Sequence, residues 1–187
     1  MRVTRILTAV ASVLCLAATA ATYEGDTVHS FVLFKVKHMG ASWTYGRFSD
    51  FTVSFQADEA KPELSSVAFE VKAESVTTGN EKRDQHLRSP DFFNAKEFPL
   101  ITFKSTSVHT IDKDTVAVTG DLTLHGVTKP LTVKVVKVGS GKNMKGGELM
   151  GVETTFTLKR SDFGMNTPVG PDSDEVQLTV AVEGAKK

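Results

Sequence analysis

From Ser66 to Ser75 apolar and polar side chains alternate: Val67, Phe69, Val71 and Ala73 fall on one side of an extended chain, and Ser66, Glu70, Lys72 and Glu74 on the other. A period of two belongs to a strand with one buried and one wetted face, and no helix can satisfy it. The rhythm returns over Thr27–His38, Tyr45–Phe55, Leu100–Ser107, Val116–Leu124, Leu131–Val135, Val152–Leu158 and Val176–Val182. The chain is therefore read as all-β. About eight antiparallel strands is the number at which a sheet closes into a small barrel able to hold one ligand, and closure also removes exposed edges.

In Thr27–His38, Val32, Phe34 and Val36 share one face while Phe31, Leu33, Lys35 and Lys37 share the other. With apolar residues on both faces near its middle, this strand is expected to be covered on both sides. Tyr45–Phe55 reads as a single second strand, and the stretch before it as a loop with Trp43 as its packing anchor. His125-Gly126 reads as a tight turn, Gly139–Gly147 as a flexible hairpin tip, and Arg160–Met165 as a helical turn closing one end.

One long segment, Thr78 to Phe103, interrupts the strands. Thr78 and Glu81 have the spacing of a capping box, and a helix starting near Gly79 puts Arg83, His86 and Leu87 on one face. Asp84 and Arg88 are spaced to pair, leaving Arg83 free for a polar head group or for a salt bridge to the barrel. Ser89-Pro90 stops the helix, and Asp91, Phe92 and Phe93 begin an aromatic turn. Charged on one side and aromatic at its end, the segment suits a short helical lid over an apolar opening.

Arg2 and Arg5, the apolar run Ile6–Ala18 and the small residues Ala18-Thr19-Ala20 form the pattern of a cleavable secretory leader. Residues 1–20 are thus expected to be removed, leaving 21–187 as one exported domain with no later apolar run long enough to span a bilayer. The single cysteine, Cys15, sits inside that leader after Leu14, where a lipidation site wants a small residue. The mature domain then has no thiol for a disulfide, a nucleophile or a metal. Loss of Arg2 and Arg5 takes the formal charge from +0 to −2, which offers no basic excess for nucleic acid. Twelve phenylalanines against one tryptophan and two tyrosines suit a greasy interior.

Catalytic and cofactor motifs fare poorly. Gly139-Ser140-Gly141-Lys142 lacks the earlier glycine and the following helix of a phosphate loop, so it reads as a hairpin tip. His29, His38, His86, His109 and His125 show no metal-binding spacing and no accompanying carboxylate cluster. Asp84, His86 and Ser89 supply hydrolase residue types without a nucleophile elbow. No catalytic residue, metal or cofactor is assigned. Arg47 and Arg160 are second-rank cations.

The inward face is assigned to Val32, Phe34, Val36 and Phe51, continued by Val53, Phe69, Val71 and Phe103; if the first strand is flipped, Phe31 and Leu33 replace its set. Arg83, His86 and His38 are placed near the head group of a ligand.

Several motifs in order carry a resemblance: Asp26–Ser30, Val36–His38, Gly46–Phe48, Arg83–Leu87, Phe92-Phe93, Phe98–Phe103, Gly120–Thr128 and Arg160–Met165. Together they resemble the YceI-like family along nearly the whole mature chain. The resemblance implies a lipocalin-like antiparallel barrel in the bacterial periplasm whose pore takes a long isoprenoid, a quinone or another long-chain lipid. It implies binding or transport rather than turnover, and is compatible with a homodimer. Two other readings stay open at this point: a dry structural barrel with its phenylalanines packed together, and a lipid-modifying enzyme using Arg83, Asp84 and His86.

Overall fold

The computed structural model describes residues 20–187, so all but the last residue of the expected leader lies outside the described residues. Eleven strands form one antiparallel sheet: β1 (Ala21–Gly25), β2 (Phe31–His38), β3 (Ser42–Phe48), β4 (Phe51–Ala57), β5 (Ser66–Lys72), β6 (Val76–Thr77), β7 (Leu100–Thr110), β8 (Thr115–Leu124), β9 (Val127–Lys142), β10 (Glu148–Lys159) and β11 (Glu175–Lys186). Among the described residues the single α-helix, α1, covers Glu81–Arg88. Eight strands, in the order β1, β4, β5, β7, β8, β9, β10 and β11, close a ring through pairing of β1 with β11. Among the described residues no helix is long and apolar enough to cross a membrane.

β11 changes partner along its length. β11 pairs with β1 through Gly184–Lys186, and with β2 through Val176–Ala181. Beyond β11 the sheet continues through β2, β3 and the two-residue β6. Buried Ser30 marks the crossing, its hydroxyl accepting from the Glu183 amide at 3.0 Å. Gly25, on β1, is obligatory: a Cβ there would lie 2.2 Å from Val53 Cγ1.

Inward residues meet in register. Phe51, Val53 and Phe55 of β4 face Val71, Phe69 and Val67 of β5, and Phe69 in turn faces Phe103 of β7. A bulge between Ser105 and Ser107 then switches the inward set of β7 from odd to even positions, so Val108 joins the core. An extra residue in a strand has this effect because the side-chain period is two.

Three strand expectations need correction. The single strand Tyr45–Phe55 is two, separated at Ser49-Asp50, and Trp43 lies on β3 rather than in a loop. Trp43 is 47% exposed and packs no core; Lys35 and Lys37 lie over its ring at 4.7 and 5.5 Å. β2 is covered on one face only, since Val32 and Phe34 are buried while Phe31 and Leu33 are 43% and 40% exposed. The tip after β9 is also shorter than expected, because the strand runs to Lys142 and Asn143 ties down the amides of Lys145 and Gly147.

The His125-Gly126 turn is present, both residues having positive φ. So is the turn at Arg160–Phe163, a 3₁₀ turn held by buried Arg160, which donates to the carbonyls of Ser173 (2.9 Å) and Met165 (2.7 Å).

Candidate functional site: an apolar lumen under a short lid

Buried side chains fall into four groups spread around the wall, bridged by half-buried neighbours such as Phe69, Phe103, Leu131 and Val180. They do not meet at the axis. The barrel instead holds a cavity of about 1080 Å³, lined from His38 and Arg83 at the lid end to Asp58, Asp114 and Lys137 at the other. Its middle is apolar, with Val118, Leu131, Val133, Phe156 and Leu178 completing the wall. This volume is at the upper edge of the range of about 300–1,000 Å³ for small-molecule sites.

Of the sequence-assigned lining residues, Val32, Phe34, Val36, Val53, Phe69, Val71 and Phe103 border the cavity. Phe51 is not among its lining residues. It faces inward but is covered, its ring buried and stacked on Phe69 at 5.7 Å. Phe34 lies across Gly46 of the paired strand, where a Cβ would fall 2.2 Å from the ring.

The lid is built differently from the expected capping box. Asn80, not Thr78, caps α1, its side chain accepting from the Arg83 amide at 3.0 Å, and Gly79 turns the chain into it with φ of +76°. The Thr78 amide donates to buried Asp84 at 2.8 Å, and the Thr78 hydroxyl also donates to that carboxylate. Burial raises the Asp84 carboxyl, but these hydrogen bonds outweigh it and hold the group below its ordinary value.

Arg83 closes the same relay, Nε donating to the Thr78 hydroxyl at 2.7 Å and Nη2 to the Thr78 carbonyl at 3.1 Å. Among the described residues it makes no salt bridge to an acid on the barrel, one of its two expected roles, and it borders the cavity. Arg88 also departs from expectation. Its ion pair is with Glu81 at 3.6 Å, and its guanidinium grips the carbonyls of Glu74 (2.8 Å) and Val76 (3.1 Å), pinning the helix to the sheet.

Arg83, His86 and His38 all border the cavity at this mouth. His86 Nε2 lies 2.9 Å from Asp91, and its ring meets Phe92 edge-on. The hydrolase residue types do not converge: Asp84 turns to Thr78, His86 to Asp91, and the Ser89 hydroxyl donates to the His86 carbonyl.

Two features escaped the sequence reading. The end of the cavity away from the lid is polar, bordered by Asp58, Glu59, Asp112, Asp114 and Lys137, with Lys137 paired to Glu59. His29 also has carboxylate neighbours, contrary to expectation. Asp26 lies 2.8 Å and Glu183 3.8 Å from its Nδ1, and the hydrogen bond to Asp26 raises the imidazole above its ordinary value. The first is signalled only by turns distant in sequence; in the second Asp26 stands three residues before His29, while Glu183 comes from β11.

Comparison with known proteins gives the same picture. A YceI protein of Escherichia coli O157:H7 is 44% identical over 172 residues, covering 91% of this chain and 90% of that one. The crystal structure of the Campylobacter jejuni YceI protein superposes with a TM-score of 0.73 at 34% identity, covering 82% of this chain and 91% of that one. A polyisoprenoid binding domain from Saccharophagus degradans, implicated in plant cell wall breakdown, shares the fold at 16% identity, with a TM-score of 0.67 over 90% of this chain and 99% of that one. The model of the YceI-like domain matches residues 23–184, and the chain belongs to that family.

Proposed function

We propose that this protein binds a long-chain isoprenoid, quinone or similar amphiphilic lipid in its lumen and carries or sequesters it in the periplasm. The observation that carries this reading is the apolar cavity of about 1080 Å³. The apolar wall of this lumen offers water few partners, so an apolar occupant is the better guest. This argues against a dry, phenylalanine-packed barrel.

An extended apolar chain is such a guest. Burying several hundred Å² of it at about 25 cal/mol per Å² gives roughly 10 kcal/mol before ordering costs. Arg83, His86 and His38 surround the mouth where a polar head would remain. The fold shared with a polyisoprenoid binding domain supports the ligand class. The scattered orientation of Asp84, His86 and Ser89 favours binding over turnover.

The test is uptake of a fluorescent long-chain polyprenol by the wild type and by the Phe69→Glu/Phe103→Glu variant, whose two changes face each other across β5 and β7. Each phenylalanine contributes about 1.5–3 kcal/mol of burial, so affinity should fall by about two to four orders of magnitude. Unchanged uptake by a variant with native circular dichroism overturns the lumen assignment. Native mass spectrometry of protein from its own cells identifies the resident lipid.

A further inference from the structure

The outer face of the β2–β3 hairpin is neither core nor ordinary solvated surface. Phe31, Leu33, Trp43 and Tyr45 are 43%, 40%, 47% and 63% exposed on one side of two paired strands. Scattered exposed apolar residues need no explanation, but a contiguous set on adjoining strands does. The same face carries Lys35, Lys37 and Arg47, aligned with Tyr45, Trp43 and Leu33 by register.

None of these three cations has a carboxylate partner among the described residues. From residue 27 to 49 the sequence contains no acid at all, in a chain whose charges otherwise balance. The acids that border the face are Glu175, one step beyond the Val176–Val36 pair, and, past Phe31, Asp26 and Glu183, which attend His29.

The hairpin tip adds a second observation. Met39 and Gly40, the central residues of the His38–Ala41 turn, both have positive φ, a backbone state that asparagine or aspartate followed by glycine takes up most readily. Methionine holds that left-handed position while 61% exposed, and it borders the mouth of the cavity. A strained turn residue is thus an apolar tip at the rim.

We infer that the β2–β3 face is a docking surface for an anionic lipid bilayer, with Lys35, Lys37 and Arg47 drawn to phosphate head groups and Trp43, Tyr45 and Met39 seated at the interface. Tryptophan and tyrosine favour that depth, and lysine and arginine favour a negative surface. A second copy of this chain is a poor occupant. A two-fold contact sets a patch against itself, so the three cations would meet three cations with no acid from the hairpin between them. Docking brings the lid end of the barrel toward the bilayer. The use of that pose for lipid exchange rests on the carrier reading, whereas the docking itself does not.

Trp43 is the only tryptophan in the chain, so its fluorescence reports the contact directly. Full-length mature protein is mixed with vesicles of phosphatidylethanolamine and phosphatidylglycerol, or of phosphatidylcholine alone, and followed by co-sedimentation and emission wavelength. Binding with a blue shift is expected on the anionic vesicles only, weakened by salt. The Lys35→Gln/Lys37→Gln/Arg47→Gln variant should bind about a hundredfold less tightly, at roughly fivefold per cation. These outer-face changes leave the wall intact, and circular dichroism checks the fold.

Absence of sedimentation and blue shift, equal binding by the triple variant, or a self-associated dimer whose formation buries Trp43 each overturns the inference. The Phe69→Glu/Phe103→Glu variant separates the two proposals. Vesicle binding without polyprenol uptake keeps docking when the lumen fails, and uptake without vesicle binding does the reverse.

Discussion

Asp84→Asn is the sharpest probe of how the lid is held. The carboxylate is 3% exposed and accepts both the amide and the hydroxyl of Thr78, while the same hydroxyl accepts from Arg83. A hydrogen bond to a charged group contributes about 1.5–3 kcal/mol. Asparagine keeps the shape and one acceptor oxygen but no charge, so one charged bond is lost and the other weakened, for a net of about 2–3 kcal/mol. In urea that lowers the unfolding midpoint at pH 7 by about 1 M.

The sign of the pH dependence follows from the lowered Asp84 carboxyl. Its contribution is fully present above the unfolded value near 3.8 and is lost as the pH falls through the folded value. Wild type and variant should therefore differ most at neutral pH and converge in acid. Urea unfolding followed by circular dichroism at pH 7, 5 and 3 measures the gap. An unchanged midpoint at pH 7, or a gap that persists into strong acid, refutes the assignment of Asp84 as the lid's charged anchor.

Gly46→Ala should push the Phe34 ring out of its seat, since the new Cβ would lie 2.2 Å from it; a loss of about 1–3 kcal/mol and slower polyprenol uptake are expected, read by thermal unfolding and by uptake kinetics. His29 should titrate above its ordinary 6.5 in NMR spectra, and Asp26→Asn should bring it back down. The stabilisation that His29 draws from Asp26 is then present below pH 6.5 and lost as the pH rises through the folded value.

Strand rhythm made the barrel legible, because one face of each wall strand meets an apolar interior and the other meets water. The turns at His125-Gly126 and Arg160–Met165 were legible for the same local reason. β1 was not, since Ala21–Gly25 owes its place to β4 and β11, strands far along the chain. The break at Ser49-Asp50 did leave a trace: the inward positions change from even at Gly46 and Phe48 to odd at Phe51, Val53 and Phe55. A continuous strand cannot switch parity.

At the site, alternation located most of the lumen but not Phe51, which shares its parity with Val53 yet is covered by Phe69. Which rows of an inward face touch open space depends on neighbouring ring volumes, not on period. The lid's partners were harder still. Thr78 has the spacing of a cap, but Asp84 competes for its hydroxyl and wins because it is charged and buried.

The split in partners along β11 gives the two ends of the barrel different mechanics. Where β1 bridges β4 and β11, a continuous belt of backbone hydrogen bonds fixes the circumference. At the lid end the sheet runs on to β6, and there the Arg88 guanidinium grips the nearby Glu74 and Val76 carbonyls like a buckle. The seam at this neck is two residue pairs long, Arg47 with Thr77 and Phe48 with Val76, against the three and four pairs that hold β1 to β11 and to β4, so the two ends of the barrel hang on ladders of unequal length.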